Sequence, residues 1–351
     1  MFARKAFRAG WGERLGALRG EKEFDCLARE LFAWQFAANR PYRTLARSLG
    51  ATPETVASWG EIPAVPQELF KRAALFCHPL AQARHTYHTS GTTTGTPGRQ
   101  RLLADDLYRW AALRTAATVG PLRDRQPLFF LTPSPQEKPH SSLSAMFGFF
   151  RRAAGAGGSQ FYMKDDALRL APLQRALAKA VAQGTPVGLL GTAFAFVHLL
   201  DAGLPSLRLP RGSFLLETGG FKGRSREVAK GELYRALSRQ FGVPDRAIWN
   251  EYGMTELSSQ AYAHGANGEH RTSPWARVVI VDPATGREVA IGQRGLVRWI
   301  DLANVDGVLA LDTHDLAVRT RTGFRLLGRL AQLPKRGCSL DAEDLRPGGK
   351  R

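Results

Sequence analysis

Three apolar runs in this sequence end in polar turns that contain glycine, at 88–98, 217–223 and 249–256. Strands that stop in such turns belong to α/β sheets, where ligands sit beyond the carboxyl ends of the strands. Glycine lets the backbone approach an anion closely, and Ser/Thr hydroxyls add donors. The richest of the three, HTSGTTTGTPGR (88–99), suits neither a core helix nor a core strand. It reads as a phosphate-binding loop, with a flexible surface loop as the alternative. It is not a Walker A loop, because Gly91 and Gly95 stand too close together and no Gly-Lys-Ser/Thr follows.

The pattern around these turns is that of an α/β chain as far as about residue 270. Phe24, Leu27, Leu31 and Trp34 recur at spacings of three and four, which predicts an amphipathic helix over about 23–38, ended by NRPY. EIPAVPQELFKR reads as extended chain before a short helix, and QPLFFLTPSPQ as a buried strand entering a Pro-rich turn. A helix is expected over 166–183, a strand in TPVGLLGT, and a helix in AFAFVHLLDAG closed by Gly203. GSFLLETGGFKG and RAIWNEYGMTE read as strands, with a helix over 226–241 between them. From 275 the period changes to two, which predicts hairpins with a turn at 283–286. The N-terminal twenty residues are basic with scattered aromatics. They read as a surface-lying first helix, with an Arg-rich transit peptide as the alternative.

Composition excludes several classes. Apolar residues make up 44% and charged residues 23%, a globular balance. No apolar run is long enough to span a membrane. Cys26, Cys77 and Cys338 form no CxxC and no metal-spaced pair with histidine, so a reducing cytoplasm is the default expectation. Cys26 and Cys77 read as packing residues. His88, His140 and His198 could orient a carboxylate, although lone histidines are usually structural. The 49 Lys+Arg against 31 Asp+Glu give a net charge of +18, spread along the chain and not gathered into a block. Such a field attracts nucleic acid, acidic proteins, anionic lipid or nucleotides.

Read in order, TSGTTTGTPG (89–98), ETGGFKG (217–223), NEYGMTE (250–256), THDLA (313–317) and GRLAQLPKRG (328–337) resemble the motif series of the adenylate-forming enzymes. PAVPQELFK (63–71), SSLSAM (141–146) and RGCSL (336–340) resemble the branch of LuxE-type acyl-protein synthetases and phenylacetate-CoA ligases. The resemblance implies an α/β fold of two mixed sheets flanked by helices, with a β-barrel-like subdomain over 270–330 of an adenylation domain spanning 1–330. It implies ATP-dependent conversion of a carboxylic acid to an acyl-adenylate, with Mg²⁺. Thr89, Ser90, Gly91, Thr92, Thr93, Thr94 and Gly95 would cradle the β- and γ-phosphates. Glu256 would hold Mg²⁺ and Thr255 would donate to the α-phosphate. Tyr252 would face adenine, with Asn250, Gly253 and the Gly219–Gly220 backbone around it. Asp315 would accept the ribose hydroxyls, and Arg329 would contact ribose or phosphate. Phe194, Phe196 and His198 could line an acyl pocket, although aromatic runs at such spacing are more often core.

The chain departs from the pattern in four places. Its loop has one Thr more than the usual SGTTG, His314 replaces a Gly, and Ala331 stands near the place of a hinge Asp. After Gly337 only a short tail over 338–351 follows, where such enzymes carry a further domain of roughly 100 residues. Lys222, Lys335 or Lys164 is then expected to replace that domain's catalytic lysine, unless adenylation is slow or a partner helps. Cys338, beside Lys335 and Arg336, becomes the candidate acyl-accepting thiol, because neighbouring cations favour the thiolate. The expected partner is an acidic acyl acceptor, a carrier protein or a reductase subunit, with no nucleic acid and no membrane span. A CoA ligase and a non-catalytic basic binding protein are the alternatives, and the acid itself is not legible.

Overall fold

The structure, a computed structural model, describes residues 7–89, 97–219 and 228–329. The chain forms two compact units. The first takes the described residues up to Ala111, Thr255–Ser259, and those from Thr272 onward; the second takes Ala112–Met254 and Gln260–Arg271. Among the described residues no helix is long and apolar enough to cross a membrane.

In the first unit the expected amphipathic helix runs Glu21–Ala38 and buries Phe24, Leu27, Ala28, Leu31 and Phe32. Its spacing of three and four puts these on one face. The buried Gln35 fixes where it docks: Nε2 donates to the Asn304 carbonyl at 2.8 Å and Oε1 accepts from Leu309 N at 2.9 Å. Asn39 ends this helix and caps the next, Arg40–Ser48, by accepting from Tyr42 N at 3.2 Å. The basic N-terminus does not simply lie on the surface. Trp11 is fully buried and its Nε1 donates to the Leu302 carbonyl at 2.8 Å.

The period-two sequence forms a sheet ordered Val65–Pro66, Ala310–Arg319, Arg294–Asp301, Ala276–Val281, with Phe324–Arg329 also on Ala310–Arg319. Val65–Pro66 pairs parallel and the other ladders are antiparallel. The expected turn is present: Asp282 Oδ1 accepts from Ala284 N and Thr285 N, and Gly286 N donates to the Asp282 carbonyl. A separate antiparallel ribbon, His85–His88 with Arg99–Leu102, flanks the glycine-threonine loop.

The second unit is built on four adjacent parallel strands, in spatial order Ile248–Tyr252, Phe214–Thr218, Gly188–Thr192 and Leu128–Leu131. Ala261–His264 extends the sheet antiparallel beyond the first, and Gln160–Phe161 extends it parallel beyond the last. The four central strands are almost wholly buried, which explains why they read as continuous apolar runs. Helices Ser142–Ala153, Leu170–Ala182, Ala193–Asp201 and Lys230–Phe241 lie along this unit. The helix expected from 166 begins at Leu170, because Met163–Lys164 and Ala167–Leu168 first form a two-residue hairpin. Asp165 and Asp166 turn it, at φ 50 and 60.

Candidate functional site

Several of the motifs meet in the first unit. The ribbon closes the base of the 89–98 loop: His88 pairs with Arg99, Thr89 N donates to the Gly98 carbonyl at 2.9 Å, and Gly98 N donates to Thr89 Oγ1 at 2.8 Å. Phe70 packs there, since a side chain at Gly98 would meet Phe70 Cβ at 3.3 Å. Thr255 Oγ1 lies 3.5 Å from the His88 carbonyl, so the expected α-phosphate donor stands at the foot of the loop.

Asp315 and Arg329, fourteen positions apart in the motif series but on neighbouring strands, face each other directly across the ladder. Arg329 Nε is 3.5 Å from Asp315 Oδ1, and Asp315 N donates to Thr313 Oγ1 at 3.1 Å. Arg329 Nη2 also donates to Gln67 Oε1 at 2.6 Å, and His314 Nε2 meets Glu68 Oε1 at 2.8 Å. Burial pushes the Glu68 carboxyl up, but hydrogen bonds from His314, its own backbone and Gln67, with the charge of His314, together bring it below its usual value. Residues 67–70 thus connect the Asp315–Arg329 pair to the base of the loop. Gln67 and Glu68 were missed as individual residues; the only signal for them was the resemblance of PAVPQELFK.

Glu256 is buried, and its backbone is held from two sides. Asn304 Nδ2 donates to the Glu256 carbonyl at 2.8 Å. Asp301 Oδ2 accepts from Ser258 N and Ser259 N, both at 2.8 Å, and Oδ1 accepts from Ser259 Oγ at 2.7 Å. Among the described residues no group of three or more His, Cys, Asp or Glu could hold a metal. Glu256 offers a single carboxylate, an oxygen donor of the kind that suits Mg²⁺, an ion bound through one or two carboxylates together with phosphate and water.

In the second unit, adjacent strands deliver Gly219 and Tyr252 to the same edge of the sheet, with Glu217 opposite Asn250 and Thr218 opposite Glu251. The chain leaves Thr218 through Gly219 at φ 69. Asn250 is engaged inside the unit: Nδ2 donates to Glu217 Oε1 at 2.7 Å, and Oδ1 lies 2.6 Å from His270 Nε2. It ties the strand ends together and does not offer a free edge. Tyr252 is buried, edge-on to His270 at 6.1 Å between centroids. Two carboxylates that the sequence reading left without a role, Glu217 and Glu251, are buried here. Burial raises both, and Glu251 reaches about 7. Nothing in the sequence marks them as buried, because a carboxylate in a strand ordinarily faces water.

Of the expected acyl-pocket residues, Phe194 lines a cavity at the ends of Leu128–Leu131 and Gly188–Thr192. Phe196 lies fully buried in the core and His198 is exposed, its ring edge-on to Phe194. His140 is exposed and His88 half-buried. Cys77 packs as expected, but Cys26 is exposed, the reverse of the expectation, because its side of the helix lies away from Leu27 and Leu31. Ser90, Gly91, Thr92, Thr93, Thr94, Gly95, Gly220, Lys222, Cys338 and the tail over 331–351 lie outside the described residues.

No family model matches this sequence, and no curated protein matches it. Solved structures do. The chain is similar to an open conformation of 2-hydroxyisobutyryl-CoA ligase in complex with 2-HIB-AMP and CoA, with TM-score 0.66 and 15% identity over 90% of this chain and 76% of that one. It is similar to ATP-bound MatB from Rhodopseudomonas palustris, with TM-score 0.51 and 18% identity over 82% of this chain and 56% of that one. It is also similar to McyG A-PCP complexed with phenylalanyl-adenylate, with TM-score 0.51 and 18% identity over 71% and 41%. At such identities the likeness is one of architecture: this chain has the mixed α/β fold of the adenylate-forming enzymes.

Proposed function

We propose that this protein activates a carboxylic acid with ATP and passes the acyl group to a thiol, in the manner of the LuxE-type synthetases. The observation that carries the reading is the convergence in the first unit: Thr89, Gly98, Thr255, residues 67–70, Asp315 and Arg329 come from four distant stretches of chain and form one connected set. That is what a nucleotide with phosphates at one end and a ribose at the other requires. The acid's carboxylate oxygen attacks the α-phosphorus, the bond to the β-phosphate breaks, and pyrophosphate leaves with the electron pair. A thiolate then attacks the acyl carbon and AMP leaves. The protein's part is alignment of two anions and neutralisation of developing charge. Glu256 would hold a Mg²⁺ ion, which would supply part of that neutralisation when bound. Thr255 donates to the α-phosphate, Asp315 accepts from the ribose hydroxyls, and Arg329, already ordered by Gln67, adds positive charge.

The test is acid-dependent exchange of labelled pyrophosphate into ATP across a panel of carboxylic acids. Glu256→Gln is expected to lower that exchange by about 10²–10⁴-fold; exchange at the wild-type rate removes Glu256 from the site. For the acceptor, Cys338 with its cationic neighbours Lys335 and Arg336 is the proposed protein thiol. Cys338→Ser is expected to keep pyrophosphate exchange and lose a hydroxylamine-sensitive acyl label. Thioester formation with free CoA at the rate of adenylation favours instead the ligase reading that the 2-hydroxyisobutyryl-CoA ligase likeness supports.

A further inference from the structure

A cavity of about 220 Å³ lies at the carboxyl ends of the strands Leu128–Leu131 and Gly188–Thr192. Leu131, Leu143, Met163 and Phe194 form its apolar wall. Thr132 also lines it, only 3% exposed, and its hydroxyl is buried with no hydrogen-bond partner among the described residues. A buried hydroxyl left unpaired costs free energy, so its retention points to a partner that arrives from outside. The N-cap residues of two helices complete the lining. Ser141 caps Ser142–Ala153 and Thr192 caps Ala193–Asp201, each accepting a backbone N–H three residues on. Two helix N-termini at one cavity favour an oxygen acceptor there. At the rim Lys138 and Asp166, 3.3 Å apart, neutralise each other.

The place of this cavity matters. Gly188–Thr192 lies directly beside Phe214–Thr218, the strand that ends at Gly219, so the two exits are about 5 Å apart on the same sheet edge. At this volume the cavity is smaller than the roughly 300–1,000 Å³ usual for ligand pockets, too small to enclose a long acyl chain.

We infer that this cavity receives the tail of the acid, and that the acid is a short one, of about seven or eight non-hydrogen atoms, with a second oxygen function that pairs with Thr132. The inference rests on the adenylating reading above and narrows its substrate class.

The experiment measures direct binding of size-matched acids to the full-length protein by titration calorimetry, without ATP. Hexanoate, 5-hydroxypentanoate and succinate have the same number of non-hydrogen atoms, and palmitate is the long-chain probe. The hydroxy acid or the dicarboxylate is expected to bind about tenfold more tightly than hexanoate, and which of the two leads identifies the oxygen function. Palmitate is expected not to compete. Thr132→Val is expected to erase the preference while leaving the unliganded protein at least as stable, since the lost hydroxyl had no partner. Leu143→Trp, which fills the cavity, is expected to abolish binding of all three short acids. Hexanoate or palmitate binding best, or a preference unchanged in Thr132→Val, overturns the inference. Pyrophosphate exchange run on the same acids separates the two readings. Exchange supported by palmitate and untouched by Leu143→Trp keeps the ligase and removes the cavity. Binding with the expected pattern but no exchange keeps the cavity and removes the ligase.

Discussion

Gly253 is a glycine because Glu251 occupies the space a side chain would need. A Cβ there would collide with Glu251 Oε1, and that carboxyl is buried and cannot swing away cheaply. The glycine of the YGMTE turn is therefore explained by packing within the second unit, whatever it also does for a ligand. Glu251 itself is a titrating core group. Burial pushes its carboxyl from 4.5 up to about 7; the hydrogen bond from the Thr218 hydroxyl opposes this and the charge of Glu217 adds to it. The folded state thus holds the proton more tightly than the unfolded chain. Its stabilising share is full below about pH 4.5 and is lost as pH rises through about 7. Glu251→Gln, which mimics the protonated form, is expected to be more stable than wild type at pH 8, by on the order of 3 kcal/mol. The difference is expected to shrink toward pH 5. Urea unfolding at pH 5, 6.5 and 8 measures it, and a pH-independent difference places the burial of this carboxyl in doubt.

At the scale of elements, the segment 255–259 has no regular structure of its own and takes its shape from Asp301 and Asn304. Trp275 Nε1 adds a hydrogen bond to Ser259 Oγ at 3.1 Å. Burial raises the Asp301 carboxyl, while four donors, from Ser258, Ser259 and Ala303, hold it down. Asp301→Asn turns one acceptor into a donor facing donors. It is expected to cost about 2–4 kcal/mol in unfolding free energy and to raise the KM for MgATP more than it changes the KM for the acid. Equal effects on both constants mean that Asp301 supports the fold without positioning Glu256. Much of this architecture was legible beforehand. The spacing of Phe24, Leu27 and Leu31 located a helix, the change of period at 275 located the hairpins, and the buried runs located the four parallel strands. The hidden parts are those fixed by partners distant in sequence. Asp301 accepts from residues more than forty positions away, Gln67 meets Arg329, and Asn250 meets His270. The hairpin turned by Asp165 and Asp166 escaped for another reason: its strands are two residues each, too short to show a period.

At the scale of the molecule, the charge of +18 is a property of the whole surface and not of one motif. On the proposed acyl-transfer reading it favours an acidic acceptor and speeds the encounter more than it tightens the complex. The apparent association rate with such an acceptor is expected to fall severalfold or more between 50 and 300 mM salt, because screening acts over about 8 Å at physiological ionic strength. The dissociation rate is expected to change less. Stopped-flow mixing with an acidic carrier protein measures both, and a salt-independent association rate removes the electrostatic argument. The weave of the two units has a further consequence, for the birth of the protein. Val65–Pro66 pairs with Leu311–Asp312, and Trp11 bonds to Leu302. These two partners therefore leave the ribosome roughly 250 or more residues later, a wait of at least about 12–50 s at about 5–20 residues per second. The second unit, nearly continuous in the chain, is finished during that interval. Trp11 and Gln35 must spend it without their hydrogen-bond partners at Leu302, Asn304 and Leu309, which makes the nascent chain a client for chaperones.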